Sequence, residues 1–200
     1  MKNIITKKEL KELTSRLENG IDKFILAGFF YGLNGEAGYK EQLLNLEVNS
    51  IDFKNKKINL PDGREVVMDE LLTDVSQQAI KQKIYIKLGS QGRTNEDYYL
   101  NSDSKYIIKI KPTKANNNGL APLSAGGIKK RMTMLSDYLG VKLTPSILKI
   151  SGVYDLLKSQ ERKITIIEAE SLLKANGLSI RRNNLIPILR EINSTKQEEN

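Results

Sequence analysis

The side chains in this sequence best suited to chemistry are cations. Lys129, Lys130 and Arg131 stand together just after Ala125-Gly126-Gly127. Lys149 sits among apolar neighbours, Arg181 and Arg182 adjoin, and Lys54, Lys56 and Lys57 crowd a short polar stretch. Such clusters can hold phosphate by charge and by hydrogen bonds. Each also has a plain reading as a solvated helix face or turn. Groups that break bonds are scarce. The chain has no histidine and no cysteine, which removes the commonest general base, the commonest zinc ligand and any disulfide. Asp69-Glu70 and Glu96-Asp97 are adjacent carboxylates, but neighbouring side chains diverge on a helix and nothing else converges on them. No metal and no cofactor is expected. Tyr98 and Tyr99 lie in a polar stretch, where a ring can stack on a base or simply pack.

The elements that must position these groups belong to a chain of 200 residues, enough for one domain. A hydrophobic share of 39% with 28% charged residues is enough for a real core. Net charge is +8, unevenly placed: residues 1–100 hold 15 basic and 15 acidic groups, whereas residues 121–190 hold 12 and 5. A basic excess confined to one half is the footprint of a polyanion partner. The longest apolar run, Phe24 to Tyr31, is far short of the roughly 20 residues of a membrane span. A cytoplasmic protein without a membrane partner is therefore expected.

Local signals predict mostly helices. Thr6 with Glu9 makes a capping box before Leu10, Leu13 and Leu17, with Gly20 as the stop. A buried helix is expected over 21–33 and another over 36–46. Two short alternating arms, 57–60 and 65–68, flank Pro61-Asp62-Gly63-Arg64 and predict a β-hairpin. A helix follows over 69–82. Residues 89–104 and 113–121 read as loops, and 105–111 as extended. Ser124 caps a helix that Gly140 ends. Thr144-Pro145 opens the next, to about Ser159. Thr165 with Glu168 is a second capping box, and Gly177 stops that helix. Asn184 is expected to cap a last short helix, 185–192, before a frayed tail over 194–200. Residues 165–190 fit helix-turn-helix poorly, because Gly177 comes eight residues after Ala169 where the motif needs four. The result is a mainly helical α+β domain over 1–193 with one small antiparallel sheet and a disordered tail, 194–200.

The order of these elements and several short strings resemble the catalytic domain of tyrosine recombinases, the phage-integrase family. Phe29 to Glu36, then Leu43-Leu44-Asn45-Leu46 and Ile51-Asp52, resemble the family's first conserved box, and Leu143-Thr144-Pro145 resembles the second. The resemblance runs from about residue 5 to 192 and implies that the family's separate core-binding domain is absent. It also implies a chemistry: a tyrosine attacks the scissile phosphate, two arginines stabilise the phosphorane, and a lysine and histidines move protons. Carried over, the first arginine falls on Asn34. The His-x-x-Arg of the second box falls on Ser146 and Lys149, and the later histidine or tryptophan near Leu178. The nucleophile would lie near Ile186 or Pro187, yet no tyrosine follows Tyr154.

Residues 143–159 resemble most the MrpR-like phage repressors, which share the recombinase fold without its catalytic set. The resemblance thus implies a regulator of phage or mobile-element origin that binds double-stranded DNA without cutting it. The expected contacts are Lys129, Lys130, Arg131, Lys149, Arg181, Arg182, Lys54, Lys56 and Lys57, and no residue is expected to be catalytic. The alternatives are an active DNA integrase and a protein-interaction module that forms homo-oligomers through its C-terminal helix.

Overall fold

The computed structural model describes residues 4–34, 41–88 and 97–198. Helix α2 (Gly20–Phe30) is its axis. Ten of its eleven residues are buried, as an apolar run without a polar face demands. Around it pack α1 (Lys7–Ser15), α4 (Glu70–Lys81) and α6 (Pro145–Lys158), with the short α3 (Glu41–Leu44) beside it. The capping box at Thr6 forms as expected, but α1 ends at Arg16 and Gly20 is not its stop. Gly20 opens α2 instead, because a Cβ there would lie 2.5 Å from the Gln78 carbonyl carbon. Glycine here serves the close approach of α2 to α4. The first residues of the helix expected over 36–46, and 89–96 of the expected loop, lie outside the described residues.

Strands β1 (Ile51–Asp52), β2 (Lys57–Asn59) and β3 (Glu65–Val67) form an antiparallel meander, with Ile58 opposite both Ile51 and Val66. The β2–β3 turn closes through the Leu60 amide donating to the Arg64 carbonyl at 2.8 Å, with Gly63 at φ 82°. A second pair, β4 (Ile84–Tyr85) with β5 (Tyr98–Tyr99), was not expected. Residues 105–111 form no strand. Instead Ile107 and Ile108 plug the core. The buried Lys109 ammonium donates to the carbonyls of Ile80 (2.7 Å) and Gln82 (3.3 Å), capping the α4 C-terminus.

The C-terminal part is helical: α5 (Ala125–Leu139), α6, α7 (Ile166–Ala175) and α8 (Arg182–Glu198). Ser124, Thr144 and Thr165 cap as expected, and Gly140 and Gly177 both take φ 70°. Helix α8 differs from expectation. It starts at Arg182, before Asn184, and passes Ile192 to reach Glu198. The Arg181 carbonyl accepts from the amides of Asn184 and Leu185, so the chain is already turning two residues before the expected cap. Ser194 and Thr195 hydroxyls bond back to the carbonyls of Arg190 and Glu191, which suits a continuing helix.

Two hydrophobic clusters result. The larger runs from Ile5 to Leu148, and the smaller joins the end of α6 to α7 and α8. They meet at Gly152, where a Cβ would lie 1.9 Å from the Phe30 carbonyl oxygen. Among the described residues no helix is long and apolar enough to cross a membrane.

Candidate nucleic-acid interface

Helix α5 presents its cations unequally. Ile128, Met132, Leu135 and Leu139 form its buried stripe, and Lys129 and Lys130 point away from it into solvent. Ser124 caps the helix by accepting from the Gly127 amide at 3.0 Å. Both lysines therefore stand within two turns of a helix N-terminus, whose dipole adds to their field. Arg131 does not join them. It lies three residues after Ile128 and four before Leu135, on the buried stripe, and its side chain is only 10% exposed. Its guanidinium pairs with Asp22 Oδ1 at 3.3 Å and lies 4.5 Å over the Tyr85 ring. The phenol of Tyr85 donates to the other Asp22 oxygen at 2.8 Å, and Tyr98 stacks on Tyr85. Arg131 is thus withdrawn from the expected phosphate contacts, because a fully buried carboxylate holds it in the core. Burial lifts the Asp22 carboxyl above its usual range, against the pull of Arg131 and the Tyr85 hydrogen bond.

The other expected contacts are scattered in their surroundings. Lys54 and Lys56 are exposed in the turn before β2, where Lys56 takes φ 52°. Lys57 is engaged across the hairpin with Glu65 Oε2 at 2.6 Å, and that hydrogen bond raises its pKa. Arg181 is exposed, whereas Arg182 pairs with Glu170 Oε1 at 3.2 Å. Lys149 is half-buried on α6, one turn before Gly152, and Ser146 is exposed a turn earlier.

The structure does bring two of the carried-over catalytic positions into one corner. Asn34 follows the end of α2 and is 2% exposed, and its Oδ1 has no hydrogen-bond partner among the described residues. Leu178 follows the end of α7, and its Cδ2 is so near Gly32 that a Cβ there would meet it at 2.6 Å. Between them lies Arg64, which the sequence showed only as the end of a turn. Its guanidinium donates to the carbonyls of Gly32, Asn34 and Gly177, to Gln42 Oε1 and to Asp62. Tyr31, one residue past α2, is no free phenol either. It donates to Asp69, which also pairs with Lys7, and burial followed by Asp69 pushes its pKa far upward. Tyr154 packs against the smaller cluster, with the Lys158 ammonium 5.8 Å over its ring. Among the described residues no three acidic side chains gather as a metal site would need.

Residues 4–192 match the family model described as "MrpR, C-terminal catalytic domain". The chain belongs to this family. Among solved structures it is similar to the crystal structure of XerA recombinase, with a TM-score of 0.63 at 16% identity. That match covers all of this chain and 64% of the recombinase, so the chain spans less than two thirds of that relative's length. At such identity the likeness establishes the fold of a tyrosine recombinase catalytic domain. No curated protein matches this MrpR-family domain in sequence.

Proposed function

We propose that this MrpR-family domain binds double-stranded DNA without cutting it, as a regulator of phage or mobile-element origin. One observation carries the reading: a recombinase fold is kept over nearly the whole chain, yet no tyrosine follows Tyr154. Strand cleavage in this fold family forms a covalent phosphotyrosine, which needs a phenol near Ile186 or Pro187. Asn34 in place of arginine supplies no positive charge to a phosphorane, and Lys149 lacks the bidentate fork. A grip on the duplex remains chemically available. Lys129, Lys130, Lys54, Lys56 and Arg181 are exposed, and the surplus charge lies in the half that forms α5 to α8.

Binding of this kind is dominated by counterion release. Gel-shift titrations over a range of salt should show affinity falling linearly on logarithmic axes. A suicide substrate, whose cleavage would trap the enzyme on nicked DNA, should yield no covalent adduct. Salt-independent mobility would remove the DNA-binding part of the reading, and a trapped adduct would remove the non-cutting part.

A further inference from the structure

We infer that Arg64 is an internal clasp that closes the Asn34–Leu178 corner to phosphate and joins the β-hairpin to the ends of two helices. A guanidinium has five N–H groups, and here all five have acceptors. Nε meets Asp62 Oδ2 at 2.7 Å. One terminal nitrogen serves the carbonyls of Gly32 and Gly177, and the other serves the Asn34 carbonyl at 3.3 Å and Gln42 Oε1 at 2.8 Å. Gln42 in turn donates to Asp62 Oδ2 at 2.9 Å, which closes the ring of partners.

The three carbonyls have a common origin. Gly32 and Asn34 lie just past the C-terminus of α2, and Gly177 just past that of α7. Both ends present unpaired carbonyls and the negative pole of a helix dipole, so one cation between them satisfies both. The approach is tight. A Cβ on Gly177 would lie 2.6 Å from the Glu65 carbonyl and from Val66 Cγ2, so the α7 turn rests directly on β3. Leu33, beside Gly32, belongs to the larger hydrophobic cluster and Leu178 to the smaller, which makes Arg64 a tie between them.

The same geometry shuts out an anion. A phosphate entering the corner would meet three carbonyl oxygens and the Asn34 Oδ1, which has no hydrogen-bond partner among the described residues, with no N–H of Arg64 left to receive it. Leu178 adds only apolar surface. DNA contacts therefore fall on the exposed lysines. That last step rests on the DNA-binding reading proposed above, whereas the clasp does not.

The test compares Arg64→Lys, Arg64→Ala and Asp62→Asn in the full chain, first without DNA. Amide hydrogen exchange is read at Leu60, Gly177 and Leu178, whose N–H groups close the hairpin and the α7 turn. Loss of the charge-assisted bonds should speed exchange there roughly ten- to a hundredfold in both Arg64 variants, and less in Asp62→Asn. Lysine should fail almost as badly as alanine, since an ammonium cannot reach five acceptors in one plane. Should Arg64→Ala not fold, the lysine and asparagine variants give the same reading. Salt titrations with duplex DNA should then show an unchanged slope. Wild-type exchange in Arg64→Lys would overturn the clasp. A slope reduced by about 0.9 in Arg64→Ala would overturn the closed corner, because it is the mark of one lost phosphate contact. If no variant or wild-type protein binds DNA, the DNA-binding reading falls, and the exchange data still decide the clasp.

Discussion

Asp22 and Arg131 are the pair on which the buried electrostatics turn. Their side chains are 0% and 10% exposed, so neither charge is solvated and each depends on the other. Arg131→Met would leave the Asp22 carboxylate with the uncharged Tyr85 phenol and Asn19 side chain as partners. A loss of about 3–5 kcal/mol in unfolding free energy is expected, measured by denaturant titration. The loss should shrink in acid. A buried carboxyl whose folded pKa lies above its unfolded value binds more protons when folded, so the variant's stability falls as pH rises between the two. Combining Arg131→Met with Asp22→Asn should recover much of the loss, and a double variant no better than the single one would contradict the account. At this scale the sequence was only partly legible. Arg131 adjoins two exposed lysines, which suggests one cluster, but its offsets of three and four from Ile128 and Leu135 already place it on the buried stripe. Arg64 offered no such signal, because apart from Asp62 in its own turn its partners come from three distant stretches of chain, at Gly32 and Asn34, at Gln42 and at Gly177.

Helices were legible where their ends announce themselves. The side chains of Thr6, Ser124, Thr144 and Thr165 accept from backbone amides three residues on, and that local chemistry needs no tertiary context. Glycines were legible only in part. Gly140 and Gly177 adopt the left-handed conformation that ends a helix, but Gly20 and Gly152 exist for close packing, which depends on residues distant in sequence. The α8 boundary was misplaced for a related reason: its first turn is held by the Arg181 carbonyl, so Asn184 is not needed as a cap. Gly152 sets how closely α6 crosses α2, and the carbonyl facing it belongs to the backbone, which cannot rotate away. Gly152→Ala should therefore destabilise by at least about 1–3 kcal/mol, the usual range for overpacking. Gly126, in the first turn of α5 with open space around it, is the control. Gly126→Ala should be neutral or stabilising by about 0.4–1 kcal/mol. Equal midpoint shifts in chemical denaturation would argue against the crossing as the cause.

For the molecule as a whole, charge placement decides what the fold can bind. The basic half of the chain does not form one uniform surface. Arg131 is internal, Arg162 pairs with Glu168 and Arg182 with Glu170, which removes part of the surplus from solvent. Lys129 and Lys130 remain exposed, with no ion pair among the described residues, beside the positive end of α5. If the duplex is held there, each lysine neutralises one phosphate and releases its counterions. Replacing both with alanine should lower the salt slope by roughly 1.8, two contacts at about 0.9 each. It should weaken every duplex alike, since phosphate contacts position the protein and do not read sequence. Replacing Arg162, already paired with a glutamate, should change the slope less. Stability is expected to stay near wild type in the lysine variant, because neither ammonium has an ion pair to lose among the described residues. An unchanged slope, or weakening confined to one sequence, would place the grip on another face of the fold.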